Sequence, residues 1–69
     1  MDIKIKIIKV EYPIKSNSSY GNFAIAVDFQ YIDSFKANTF KYAWTKKQAV
    51  ELYKTLKNKL NKIISIYEL

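Results

Sequence analysis

The side chains with chemistry to offer are lysines spaced along stretches that read as strands. Lys4, Lys6 and Lys9 lie in "IKIKIIKV" (Ile3 to Val10) and Lys41 lies in "FKANTFKYAW". Alternate residues of a strand share a face, so this spacing gathers cations on one surface. Lysines so placed can hold phosphates, while Gln30 and Thr39 beside them can reach base edges. Twelve lysines against six acids give a net charge of +6, which favours nucleic acid, an anionic membrane or an acidic protein as partner. Part of that excess has a compositional origin. Phe, Tyr, Met, Ile, Asn and Lys, the residues of A/T-rich codons, make up 38 of the 69 residues, as in a low-GC genome. The chain has no arginine, and therefore lacks the guanidinium fork that makes the commonest specific contact to guanine.

Other chemistries are poorly provided for. The chain contains no histidine and no cysteine, the usual bases, nucleophiles and soft metal ligands. Its six acids are scattered without the spacing of a carboxylate dyad or a metal site. Asp28 falls among lysines and reads as a solubilising residue or a partner for Lys41. With one glycine there is no phosphate-cradling loop. The expectation is a protein with no catalysis, metal, cofactor or small-molecule substrate.

The elements that position these lysines follow from the apolar pattern. Sixty-nine residues make one domain, 1–69, which buries only about 60% of its unfolded surface and has no disulfide to staple it. No apolar run approaches a membrane span and no signal-peptide pattern opens the chain. It therefore reads as a soluble protein of the bacterial cytoplasm, without membrane contact. A first strand runs from about Asp2 to Tyr12 and stops at Pro13. "PIKSNSSYGN" reads as a flexible polar loop. "NFAIAVDFQYI" and "FKANTFKYAW" read as a hairpin turning at Asp33-Ser34.

A two-residue turn there pairs Val27 with Phe40, Ile25 with Tyr42 and Phe23 with Trp44, putting every large residue on one face, and a four-residue turn would leave the faces unchanged. The other face then collects Gln30 with Ala37, Asp28 with Thr39, Ala26 with Lys41 and Ala24 with Ala43. Thr45-Lys-Lys-Gln48 fits a helical capping box. Ala49, Leu52, Tyr53, Leu56, Leu60, Ile63 and Ile64 continue as a helical stripe, so the helix is expected to run to about Ile64 and then fray. "IISIYEL" is ambiguous between helix and strand. The fold class is α+β: a three-stranded antiparallel sheet packed on one C-terminal helix, in the order βββα.

One helix covers one sheet face. The phase break at Ile7-Ile8 therefore reads as a β-bulge that turns Ile3, Ile5 and Ile7, and also Ile8, Val10 and Tyr12, toward the core. The rival is a regular strand whose exposed apolar trio meets a partner. The bulge sends Lys4, Lys6, Lys9 and Glu11 to the open face, alongside Gln30, Thr39 and Lys41. Ala24, Ala26, Ala37 and Ala43, small residues at exposed strand positions, keep that face flat enough for close approach. The aromatic set Phe23, Phe29, Phe40, Tyr42 and Trp44 reads as core beneath the helix.

The order strand–strand–strand–helix, with "YIDSF" at the hairpin, "FKYAW" in strand three and "TKKQAVELYKTLKNKL" opening the helix, resembles the arm-type, AP2-like DNA-binding domain at the N-terminus of tyrosine integrases of phages and conjugative transposons, over residues 22–62. The resemblance implies a sheet face seated in the major groove of duplex DNA. By position, it would use Lys36, Thr39 and Lys41 of strand three and Gln30 of strand two, with Lys4 and Lys6 near phosphates. The family's arginines on this face are missing here. A chain without a recombinase core, whether an excised domain or a stand-alone relative, would not recombine DNA by itself. The function expected is a small DNA-binding domain. The alternative is a phage or mobile-element protein that binds and inhibits a host defence protein through its flat sheet face, a strand edge or the C-terminal tail. A homodimer through that tail is a third possibility.

Overall fold

In the computed structural model, which describes residues 2–69, five antiparallel strands and one helix form an α+β fold. The strands are β1 (Lys4–Val10), β2 (Ile14–Ser18), β3 (Gly21–Tyr31), β4 (Lys36–Ala43) and β5 (Ile63–Ser65). Helix α1 spans Lys46–Asn58, and a 3-10 turn closes the chain at Ile66–Glu68. No helix among the described residues is long and apolar enough to cross a membrane.

β3 organises the sheet because it is long enough to serve three partners. β4 lies along residues 23–30 on one edge, while β1 pairs with residues 27–31 and β2 with residues 21–24. Each residue of β3 has only two edges, so β1 and β2 must share the edge opposite β4. The stretch expected to be a loop after Pro13 is thus the continuation of the first strand. Proline interrupts the ladder without ending it. Glu11 N–H still donates to Ala26 C=O at 2.9 Å, and pairing resumes at Ile14 opposite Ala24. Serines steady the turn that follows: Ser16 Oγ accepts from Ser18 N–H and Ser18 Oγ from Tyr20 N–H.

The bulge in β1 falls where the sequence places it. Ile7 opposes Phe29 and Lys9 opposes Asp28, so Ile8 is the extra residue. Ile5, Ile7 and Val10 accordingly share the covered face with Ile25, Val27 and Phe29, and all six are buried. Ile3 and Tyr12 nevertheless remain exposed, and Ile8 is half-buried beside Asp28 and Lys36 rather than in the core. Tyr12 meets Tyr53 edge-on, with ring centroids 5.2 Å apart.

Helix α1 starts as expected. Thr45 Oγ1 accepts from Gln48 N–H at 3.2 Å, and Gln48 Oε1 accepts in return from Thr45 N–H at 3.3 Å. The helix buries Ala49 and Leu56 against the sheet, with Leu52 and Tyr53 half-buried beside them. It stops six residues earlier than the apolar stripe suggests. Asn61 takes a left-handed φ of 63°, which its short polar side chain tolerates, and its N–H donates to Ile7 C=O at 2.8 Å. The chain then runs alongside β1 as β5, with Ile64 opposite Ile5 and buried. The β-branched pair Ile63-Ile64 suits a strand better than a helix. Ser65 caps the closing turn: its Oγ accepts from Tyr67 N–H, and its own N–H donates to Glu68 Oε2.

The hairpin register differs from the expected one, and the consequence reaches the site. Tyr31 N–H donates to Phe35 C=O at 3.2 Å and Ser34 N–H to Tyr31 C=O at 3.0 Å, so the turn holds three residues, Ile32, Asp33 and Ser34. Asp33, third residue of the Tyr31–Ser34 turn, takes a left-handed φ of 56°, which aspartate tolerates better than most residues. An odd loop moves β4 by one residue relative to an even one, which exchanges its faces. Phe40 now opposes Ala26 and Tyr42 opposes Ala24, while Thr39 opposes Val27 and Lys41 opposes Ile25. Gly21 fits the far end of this hairpin because a Cβ there would lie 2.7 Å from Ala43 O.

Candidate nucleic-acid interface

The face of the sheet away from α1 is uncovered, and its composition follows from the register. Across its turn end runs a row from β5 to β4: Ile63, Lys6, Gln30 and Lys36. The next row sets Lys9 beside Asp28 and Asn38. At the other end Ala26 lies beside Phe40, and Ala24 lies between Ile14 and Tyr42. The surface is thus polarised along β3, cationic at one end and aromatic at the other, over about 20 Å from Gln30 to Ala24.

Charge at the cationic end is only partly neutralised. Lys4 Nζ sits 3.1 Å from Asp2 Oδ2, and Lys9 Nζ sits 3.3 Å from Glu11 Oε1. Both pairs are exposed, so each contributes little to stability. The Asp2 carboxyl is held below its usual value of 3.8, first by the Ser65 hydroxyl that donates to it and then by Lys4. Lys6 and Lys36 have no carboxylate within ion-pair distance among the described residues. Gln30 stands between them and donates from Nε2 to Ser34 C=O at 3.4 Å, which ties it loosely to the turn. An open recess of about 260 Å³ adjoins this row, lined by Lys6, Gln30, Tyr31, Ile32, Asp33 and Ile63.

The aromatic end is the part that the sequence misassigns. Phe40 is 54% and Trp44 56% exposed, and Tyr42 is half-buried; none of the three joins the core. Of the aromatic set expected beneath the helix, only Phe29 is buried, with Phe23 half-buried. Tyr20 extends the strip, its ring centroid 5.6 Å from that of Tyr42, which is in turn 6.4 Å from Phe40. Both pairs are tilted, by 39° and 38°. Trp44 follows the strand and is fixed through its backbone: its N–H donates to Gln48 Oε1 and its C=O accepts from Asn22 Nδ2.

Of the six residues expected to form the interface, Lys4, Lys6, Gln30 and Lys36 come together on the open face. Thr39 and Lys41 do not. They lie on the helix side, opposite the fully buried Val27 and Ile25, because the three-residue turn exchanges the faces of β4. Asp28 consequently faces Asn38 and Lys9 instead of Thr39, and Lys41 is no partner for it. Of the four alanines expected on the open face, Ala24 and Ala26 remain there, whereas Ala37 and Ala43 turn toward the helix. Phe40, Tyr42, Trp44 and Tyr20 take the place of the misplaced residues, and a strand of alternating aromatics gives no sign of which face is out until its turn is counted. Comparison with family models, with curated proteins and with solved structures finds no match to this chain.

Proposed function

We propose that this chain is a small, non-catalytic nucleic-acid-binding module that works through the open face of its sheet, inside a low-GC bacterium or a phage-infected cell. The observation that carries the reading is the row Lys6–Gln30–Lys36. It sets two cations without carboxylate partners among the described residues about 10 Å apart, two strand spacings, on a face that no other described element covers. Phosphates supply the charge these lysines lack, and the net charge of +6 adds a long-range attraction. Duplex DNA is the form implied by the integrase arm-domain resemblance. Lys4, Lys6, Gln30 and Lys36 support that form, while Thr39 and Lys41, on the opposite face, lend it nothing.

Anisotropy of a labelled duplex of about 25 base pairs across a salt series tests the reading. Two free lysines predict a slope of log affinity on log salt near −1.8, from about −0.9 per phosphate neutralised. The double variant Lys6→Glu/Lys36→Glu abolishes binding, whereas Lys41→Glu, on the other face, changes it little. Binding indifferent to Lys6 and Lys36 contradicts the proposal, and no duplex binding at low salt removes duplex DNA as its ligand.

A second reading has its own observation. The outer edge of β4 has no strand partner among the described residues, and an unpaired edge can accept an added strand. A host protein bound and inhibited that way would form a stoichiometric complex insensitive to Lys6→Glu/Lys36→Glu.

A further inference from the structure

We propose that the nucleic acid recognised on this face is single-stranded DNA, with unpaired bases stacked on Phe40 and Tyr42 and the strand continuing toward Lys36 and Lys6. This rests on the nucleic-acid reading above and specifies the form of the ligand. Three observations carry it. The rings are exposed or half-exposed although they contribute nothing to the core, which is filled from the other face by Ile5, Ile7, Ile25, Val27 and Leu56. They recur at every second residue of β4, about 6.6 Å apart along the strand, and the Phe40 and Tyr42 centroids are separated by 6.4 Å. Opposite Phe40 stands Ala26, a small residue left partly exposed, whereas Ala24 opposite Tyr42 is itself covered.

Duplex bases fit this strip badly. They stack at about 3.4 Å per step, so each base face inside a duplex is already covered, and their edges rather than faces line the grooves. An extended single strand separates its bases and uncovers their faces, and every base offers a π-face to an aromatic ring. Four residues of β4 separate Phe40 from Lys36, about 13 Å, so a strand lying along β4 passes from rings to ammonium groups within a few nucleotides. DNA rather than RNA is indicated by the cross-strand neighbours of Phe40 and Tyr42. The cross-strand neighbours Ala24 and Ala26, with Ile14 beyond Ala24, offer no side-chain donor to a ribose 2′-hydroxyl, the group by which proteins tell RNA from DNA.

The test measures anisotropy of three labelled probes at one low salt concentration: a 20-nucleotide oligo(dT), a duplex of about 25 base pairs, and a 20-nucleotide oligo(U). The oligo(dT) is expected to bind at least about tenfold more tightly than the duplex and no more weakly than oligo(U). Phe40→Ala and Tyr42→Ala should each weaken oligo(dT) about five- to hundredfold, the range of one base–aromatic stack. Neither should alter the salt slope, which belongs to Lys6 and Lys36. Phe40→Leu, which keeps apolar bulk and removes the π-face, should lose affinity with Phe40→Ala. Thermal melts of each variant establish that the fold survives.

Preference for the duplex, with the ring variants indifferent and Lys6→Glu/Lys36→Glu damaging, overturns the single-strand inference while upholding the nucleic-acid reading. Preference for oligo(U) overturns the choice of DNA. No binding of any probe overturns both. A self-association that Phe40→Ala abolishes, seen in place of oligonucleotide binding, assigns the strip to a second copy of the chain and likewise overturns both.

Discussion

The two faces of the sheet are built from the same alternation and end in opposite states. On β3 the residues toward α1 are Ile25, Val27 and Phe29, all buried; those away from it are Ala24, also buried, and the half-buried Ala26, Asp28 and Gln30. On β4 the sense is reversed: Ala37, Thr39 and Lys41 face the helix side, and Phe40 and Tyr42 face outward. An apolar residue is therefore not buried because it is apolar but because its register points it at a covered face. The covered face holds the fold together. The open face carries aromatic rings that lie outside the core, together with two lysines, Lys6 and Lys36, that no carboxylate pairs among the described residues.

The largest effects should come from truncating one residue packed over the covered face and one on the open face. Leu56→Ala, at a position 1% exposed, should cost about 2–5 kcal/mol. That is a large part of the stability of a chain this size, at about 0.05–0.15 kcal/mol per residue. Phe40→Ala should change stability by no more than about 0.5 kcal/mol, as exposed positions usually do. Urea midpoints of the two variants measure the contrast, and comparable losses would mean that the open face is part of the core.

The register that separates the faces can be attacked at both ends of the hairpin. Gly21→Ala pushes a Cβ to 2.7 Å from Ala43 O, a backbone atom that cannot step aside. A loss of about 1–3 kcal/mol is expected, as for other overpacked sites, again read from the urea midpoint. At the turn, Asp33→Gly relieves a non-glycine residue of φ 56°. It should raise stability by up to about 1 kcal/mol, visible as a higher thermal midpoint. A two-residue turn with Asp33 in an ordinary conformation would make the same change destabilising.

The smallest effect concerns the margin where β1 meets β5. The folded Asp2 carboxyl titrates below its usual value of 3.8, through Ser65 and then Lys4. Its contribution is therefore present above that value and is lost as pH falls through the folded pKa. An acid titration followed by thermal melts should show wild type losing slightly more stability than Asp2→Asn below about pH 4, with no divergence above pH 5.

Much of the fold was legible because burial leaves few options. The break at Ile7-Ile8 implies a bulge, since a regular strand leaves an apolar trio in water. Thr45 and Gln48 announce the helix start by their own hydrogen-bonding chemistry. Three features escaped for separate reasons. β2 is polar, "IKSNS", and follows a proline, so neither periodicity nor composition marks it as a strand. β5 shares its isoleucines with a plausible helical stripe, and only the left-handed Asn61 decides where the helix ends. The turn at Asp33 contains no glycine to reveal its length, and one residue of loop decides whether Lys41 or Phe40 faces outward. Half of the candidate site was thus readable from β1 and β3, whereas the β4 half depended on a backbone angle that no side-chain pattern encodes.

The open face, and not the lysine-rich helix, is the surface proposed to bind. The direct measurement is a backbone-amide chemical-shift titration with unlabelled oligo(dT). Progressive shifts are expected at Lys36–Ala43 and Ala24–Gln30, with Lys47 and Lys54 on the outer side of α1 unmoved. Shifts gathered on α1, or amides indifferent to the oligonucleotide at low salt, would contradict it.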